Sequence, residues 1–213
     1  MKKFESIYID GLETFINERL TQRPFPILFE MEEFAKNNKI PILSPAAGSV
    51  LKFLISLLKP KKVLELGTGL GYSTSWMLSA GIPIEIYTLD RNARELKSAE
   101  SFLNQIILET QKIHFVETHC LEFLKKTGDL HSFDLVFVDC DKICYPEILE
   151  LLSQKTKPET HLLFDNVLWH GRLEESKHTK PSDKAIQDFW RQVQFRKLNY
   201  TLFPSGDGLL LIS

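Results

Sequence analysis

A chain of 213 residues, 43% hydrophobic and 25% charged, suits one globular domain over residues 1–213 that buries about 70% of its unfolded surface. Its formal net charge of −2 disfavours broad nonspecific nucleic-acid binding while leaving room for a local basic patch. Met1-Lys2-Lys3-Phe4-Glu5 lacks the apolar core of a secretory leader, and no apolar run approaches the roughly 18 residues of a membrane span. Cys120, Cys140 and Cys144 have neither the even count of a disulfide framework nor a C-x-x-C spacing, so they read as reduced thiols of a cytoplasmic protein.

Residues 5–20 set Ile7, Ile9, Leu12, Phe15, Ile16 and Leu20 at roughly helical spacing. After the stop Arg23-Pro24-Phe25-Pro26, residues 27–36 repeat the pattern with Leu28, Met31 and Phe34. Ser44 is a fitting N-cap with Pro45 at the first helical position, for a helix carrying Val50, Leu51, Phe53, Leu54 and Leu57. These N-terminal helices, residues 1–58, precede an α/β body over 59–213; their stripes serve core packing or, where exposed, a dimer contact or a lid.

Val63-Leu64-Glu65-Leu66-Gly67-Thr68-Gly69-Leu70-Gly71-Tyr72-Ser73 reads as a buried strand, a glycine turn and a helix opening toward Trp76 and Met77. Glycines there permit positive φ and let a ligand reach bare backbone beside the unpaired N–H groups of a helix start. Two cofactors compete for such a cradle. The dinucleotide fingerprint G-x-G-x-x-G needs its last glycine where Tyr72 stands, which counts against NAD. Glu65 is a poor neighbour for a pyrophosphate and a good one for the sulfonium and ammonium of S-adenosylmethionine. The methyl donor is expected, with a ligand-free glycine turn as the bland alternative.

Residues 84–90 form a second strand closed by Asp90, 19 positions beyond Gly71, near where nucleotide-binding α/β units place an acid against ribose hydroxyls. Its other reading is to cap a helix over 92–108. A third strand, 113–116, precedes a short helix around Leu121, Phe123 and Leu124. The fourth and fifth strands, 133–139 and 161–166, end in Asp139 and in Asp165-Asn166. A charged helix over 182–197, carrying Ile186, Phe189, Trp190 and Val193, leads into a hairpin of 200–203 and 209–212. In a parallel sheet Asp90, Asp139 and Asp165 converge on the crevice beside the glycine turn. Three acids at one edge need a counter-charge, and Asp139, Asp165 and the Asn166 amide are hard oxygen ligands suited to Mg²⁺. Alternatively, Asp165-Asn166 only opens a turn.

Together these motifs resemble the class I methyltransferases, specifically the cation-dependent O-methyltransferases of the catechol and caffeoyl-CoA type. The likeness runs from about residue 41 to 208, carried by LELGTGLGYS at 64–73, the strand ending in Asp90, FDLVFVDCDKICYPE at 133–147, LLFDNVLWHG at 162–171 and PSGDGL at 204–209. It implies a Rossmann-like α/β fold: a seven-stranded, mostly parallel sheet with a C-terminal antiparallel hairpin and helices on both faces, in a homodimer. It also implies that Leu43, Glu65, Gly67, Gly69, Ser73, Asp90, Cys120 and Asp139 bind S-adenosylmethionine, and that Asp139, Asp165 and Asn166 hold Mg²⁺, Mn²⁺ or Ca²⁺. Lys142 matches the family's lysine near the acceptor hydroxyl, a proton acceptor if its pKa is depressed beside the cation; its plain alternative is a solvated lysine.

Two departures from the family pattern stand out. Thr118-His119-Cys120 replaces a common Gly-Asp-Ala, removing a carboxylate near the adenine, and Leu163-Phe164 replaces a smaller approach to the Asp-Asn pair. MEEFAKNNKIPIL at 31–43 and the chain length are most similar to bacterial enzymes that methylate 5-hydroxyuridine in tRNA. Arg172, Lys177, His178, Lys180 and Lys184, with Lys59, Lys61 and Lys62, are the phosphate-contact candidates for that acceptor. A small catechol or other phenol is the alternative acceptor. Outside this class stand an NAD-dependent oxidoreductase and a nonenzymatic cofactor-binding module; Asp139, Lys142, Asp165 and Asn166 together favour an enzyme.

Overall fold

Seven strands form one sheet in the order β3-β2-β1-β4-β5-β7-β6 in the computed structural model, which describes residues 10–174 and 177–213. The strands are β1 (Lys62–Leu66), β2 (Ile84–Asp90), β3 (Gln111–Glu117), β4 (Leu135–Val138), β5 (His161–Phe164), β6 (Tyr200–Phe203) and β7 (Leu209–Ile212). The first five pair in parallel, and β7 runs antiparallel between β5 and β6. Strand alternation divides the interior into two layers. Val63, Leu135 and Phe137 face a core shared with α2 (Ile27–Asn38), α3 (Pro45–Leu58), α4 (Tyr72–Leu78) and α5 (Ala93–Leu103). Leu64, Leu66, Val136 and Val138 face the core of α6 (Cys120–Lys126), α7 (Tyr145–Lys155) and α8 (Pro181–Phe195). Helices thus cover both faces, which is why the central strands are apolar in nearly every position. Among the described residues no helix is long and apolar enough to cross a membrane.

The expected seven-stranded sheet and terminal hairpin are present, while several helices differ from their sequence patterns. Part of the predicted 5–20 helix lies outside the described residues. Its remainder is a short α-helix, α1 (Leu12–Phe15), running into a π-turn over Ile16–Leu20, with no buried residue and with Phe15 and Leu20 exposed. In α3, Ser44 Oγ accepts from the Ala47 N–H at 3.2 Å, the expected cap. The buried stripe is Ala47, Leu51, Leu54 and Ile55, so Phe53 and Leu57, half a turn away, face outward rather than into the core. The helix expected to reach residue 108 stops at Leu103, because the chain turns there and folds Ile106 and Ile107 back onto the first core layer. Sequence patterning missed α7 altogether, although Tyr145, Ile148, Leu149 and Leu152 bury one helical face behind Pro146 in the first turn.

Candidate active site

Parallel strands deliver their C-terminal ends to one edge, and there a cleft of about 720 Å³ opens. Gly67, Gly69, Ser73, Asp90, Cys120 and Asp139 line it, as do Leu43, Lys142, Asp165 and Asn166. The convergence of Asp90, Asp139 and Asp165 expected from their strand-end positions is therefore met.

The glycine turn is built by close approach as much as by φ. Gly67, at φ 105°, passes so near the end of β4 that a Cβ there would meet the Asp139 carbonyl oxygen at 2.3 Å. Gly69, at φ 49°, has no atom within 4 Å of the Cβ it lacks and presents bare backbone to the cleft. Asp90 fixes this turn: Oδ2 accepts from the Gly69 N–H at 3.0 Å and Oδ1 from the Asn92 N–H at 2.9 Å. The cap of α5 is Asn92, whose Oδ1 accepts from the Arg94 and Glu95 N–H groups, so Asp90 does not cap that helix. Asp90→Ala should weaken S-adenosylmethionine binding by about 1–3 kcal/mol, through lost contact and a loosened turn. Calorimetric affinity equal to that of the unsubstituted protein would reject this role.

Glu65, expected to face the cofactor, lies under the turn and does not line the cleft. It is fully buried, and its oxygens accept from the hydroxyls of Ser73 at 2.5 Å, Thr74 at 2.6 Å and Thr88 at 2.6 Å. Its reach to a ligand is through Ser73, which does line the cleft. Burial pushes its pKa up to about 7 from the usual 4.5, against the pull of the three hydroxyls. The folded protein therefore holds this proton more tightly than the unfolded chain. The stabilisation is fully present below pH 4.5 and is lost as pH rises through about 7, a difference on the order of 3 kcal/mol. Glu65→Gln should flatten the fall in Tm between pH 5 and 8; an unchanged pH profile would reject the assignment.

At the ends of β4 and β5 the acids meet a lysine. Lys142 Nζ donates to Asp139 Oδ1 at 2.7 Å from a nearly buried position. Burial pulls the Lys142 pKa down, but Asp139 and Asp165 push it further up, so the ammonium keeps its proton. The buried position of Lys142 sets aside the solvated-lysine alternative, while the pKa depression expected beside a cation depends on a charge that these two carboxylates do not supply. Asp165 is buried, and its Oδ1 makes no hydrogen bond. Burial and the charge of Asp139 push its pKa up from the usual carboxylate range, with Lys142 opposing. A buried carboxylate with an unpartnered oxygen beside a second acid fits a hard cation. Among the described residues no three His, Cys, Asp or Glu side chains converge as metal ligands, so a cation held here would draw on the Asn166 amide and on oxygens from outside the protein. Asn166 has φ 55° and its carbonyl accepts from the Trp169 N–H at 3.3 Å, so the Asp-Asn pair also opens a turn.

Other contributors to the site lacked a motif of their own. The buried Tyr145 hydroxyl lies 2.9 Å from the Val138 carbonyl and 2.8 Å from that of Asp165, tying the two acid-bearing strand ends together. Its only sequence signal was its place at the head of the overlooked α7. Thr118, His119 and Cys120 line the cleft, and the buried His119 Nδ1 has no partner. Lys59, Lys61 and Lys62 are misplaced for an acceptor role. Lys59 and Lys61 precede β1 and Lys62 opens it, whereas the cleft lies at the far end of the strand, a separation of roughly 16 Å for a strand of this length. Lys62 instead sits over the Tyr87 and Phe133 rings at 4.6 and 5.4 Å.

A parallel sheet with an appended antiparallel strand pair, a glycine turn and acids at the edge define a class I methyltransferase. Residues 21–213 match the O-methyltransferase family, and the chain belongs to it: it is an S-adenosylmethionine-dependent O-methyltransferase. A caffeoyl-CoA O-methyltransferase of Stellaria longipes is 30% identical over 185 residues, 78% of this chain and 73% of that one. A catechol O-methyltransferase of Niastella koreensis is 28% identical over 151 residues, 69% of this chain and 67% of that one. The crystal structure of an O-methyltransferase from Bacillus cereus in complex with SAH shares the fold, with TM-score 0.77 and 22% identity over 95% of this chain and 96% of that one.

Proposed function

We propose that the protein methylates one oxygen of a vicinal pair, with a divalent cation held by Asp139, Asp165 and Asn166. The observation that carries this reading is the buried, unpartnered Asp165 Oδ1 beside Asp139. Bound there, Mg²⁺ or Mn²⁺ supplies a lowered pKa for an acceptor hydroxyl. The chain's residues do the rest. Gly67, Gly69, Ser73 and Asp90 seat the methyl donor with Leu43 and Cys120 along the same cleft, and Tyr145 sets the spacing of the two acids. Lys142 neutralises Asp139 and stands beside the acceptor oxygen as an orienting cation, or as a proton acceptor once its carboxylate partners are otherwise engaged.

A catechol-like phenol is the acceptor favoured by the two named relatives and by the loss of Lys59, Lys61 and Lys62 from the cleft mouth. A 5-hydroxyuridine in tRNA, with adjacent hydroxyl and carbonyl oxygens, is the second reading, supported by Arg91 at the cleft and by the exposed Lys177, Lys180 and Lys184, which follow the Asp-Asn pair in sequence. Exposed Phe53 and Leu57, one turn apart on α3, support a homodimer. Turnover of catechol and of hydroxyuridine-containing tRNA at matched cofactor, with EDTA or added Mg²⁺ and at rising salt, separates these readings. Salt-sensitive tRNA turnover exceeding that of catechol would reverse the order, and full turnover in EDTA would remove the cation.

A further inference from the structure

The corner after the Asp-Asn pair is strained and tightly held. Trp169 and His170 take left-handed φ values of 47° and 53°, followed by Gly171 at 73°. Left-handed backbone at non-glycine residues persists only where surrounding structure over-determines it. The turn between β6 and β7 provides that restraint: the Leu168 N–H donates to the Asp207 carbonyl at 2.9 Å and the Val167 N–H to the Gly208 carbonyl at 3.1 Å. Asp207 Oδ1 then accepts from the His170 N–H at 2.6 Å. The other oxygen, Oδ2, is buried and makes no hydrogen bond, and His170 Nδ1 stands 3.4 Å away.

His170 lines the same cleft as Lys142, Asp165 and Asn166, and its side chain is 67% exposed. The ring stacks on Trp169, with centroids 5.6 Å apart and planes 29° apart. Trp169 thus covers one face of the ring, and Asp207 Oδ2 lies off its Nδ1 edge, 3.4 Å away and still without a hydrogen bond. In the neutral tautomer that carries its proton at Nδ1, on the Asp207 side, the opposite nitrogen Nε2 keeps its lone pair as a hydrogen-bond acceptor.

We propose that His170 is an acceptor-binding residue, taking a hydrogen bond at Nε2 from a hydroxyl of the aromatic acceptor, and that Asp207 is the positioning residue that aims it. This rests on the reading of the cleft as the site of a vicinal-oxygen acceptor, and it adds the side of the site that selects among such acceptors. Asp207 acts through two oxygens with separable duties: Oδ1 holds the backbone corner and Oδ2 orients the ring.

That separation supplies the test. Asp207→Asn keeps an oxygen for the His170 N–H but offers Nδ1 an amide in place of the carboxylate oxygen. Catechol affinity is measured by calorimetry on the SAH-loaded protein, with Mg²⁺ and with EDTA, for the unsubstituted protein, His170→Ala, Asp207→Asn and the double variant. The expected result is a loss of about 10-fold in catechol affinity for each single variant, the scale of one hydrogen bond. The double variant should lose no more than His170→Ala alone, and SAH affinity and Tm should stay unchanged. Additive losses, or catechol affinity unchanged in His170→Ala, would overturn the dyad even where binding depends on Mg²⁺. Catechol binding that is insensitive to EDTA yet weakened by His170→Ala would keep the dyad and overturn the cation. Failure of the unsubstituted protein to bind catechol would overturn both.

Discussion

Asp165→Ala should abolish methyl transfer, lowering kcat/KM by roughly 10³-fold, because several kcal/mol of charge stabilisation at the acceptor oxygen would go with the cation. EDTA should reproduce the loss in the unsubstituted protein, and Mg²⁺ or Mn²⁺ should reverse it there but not in the variant. The same substitution should leave the sheet intact. Asp165 Oδ1 has no hydrogen-bond partner to lose, and the Asp165 main-chain carbonyl, which the Tyr145 hydroxyl reaches at 2.8 Å, is untouched by the change. Circular dichroism and Tm of the metal-free variant therefore accompany the kinetics. An inactive and unfolded variant would assign Asp165 to the fold, and normal kcat/KM in a folded one would remove the cation from the mechanism.

Lys142→Ala should lower kcat by roughly 10²-fold or more while leaving S-adenosylmethionine affinity within about twofold. The lysine stem is nearly buried and Nζ lies 5.1 Å from the centroid of the Tyr145 ring, so the ammonium is confined to the space beside Asp139. Lys142→Arg separates the two roles, since a guanidinium stays protonated and can orient an oxygen but cannot take its proton. Partial activity in the arginine variant would assign the orienting role. Equal loss in both variants would assign proton transfer, and near-normal kcat in Lys142→Ala would reject both.

Local patterning carried much of the architecture. The alternation of apolar strands with turn signals, the three glycines after Leu66, and an acid at the end of β2, β4 and β5 follow from short-range rules, and they suffice to bring Asp90, Asp139 and Asp165 to one sheet edge. The Ser44 cap and the terminal hairpin are local in the same sense. What required tertiary structure was direction and partnership. Glu65 alternates along β1 with Leu64 and Leu66, and only the packing of Ser73, Thr74 and Thr88 around it shows that its carboxylate is spent beneath the turn. Lys59, Lys61 and Lys62 are close in sequence to the glycine turn, yet β1 carries the turn to the opposite edge of the sheet. Phe53 and Leu57 fit a helical stripe on paper, but which of several apolar faces is buried depends on how α3 meets α4 and the sheet. His170 and Asp207 stand 37 positions apart and carry no shared motif; they meet because β7 inserts antiparallel beside β5. Periodicity and turn chemistry are properties of neighbouring residues and can be read along the chain, whereas burial, pKa and side-chain partnership arise from contacts between distant segments and exist only once the sheet has assembled.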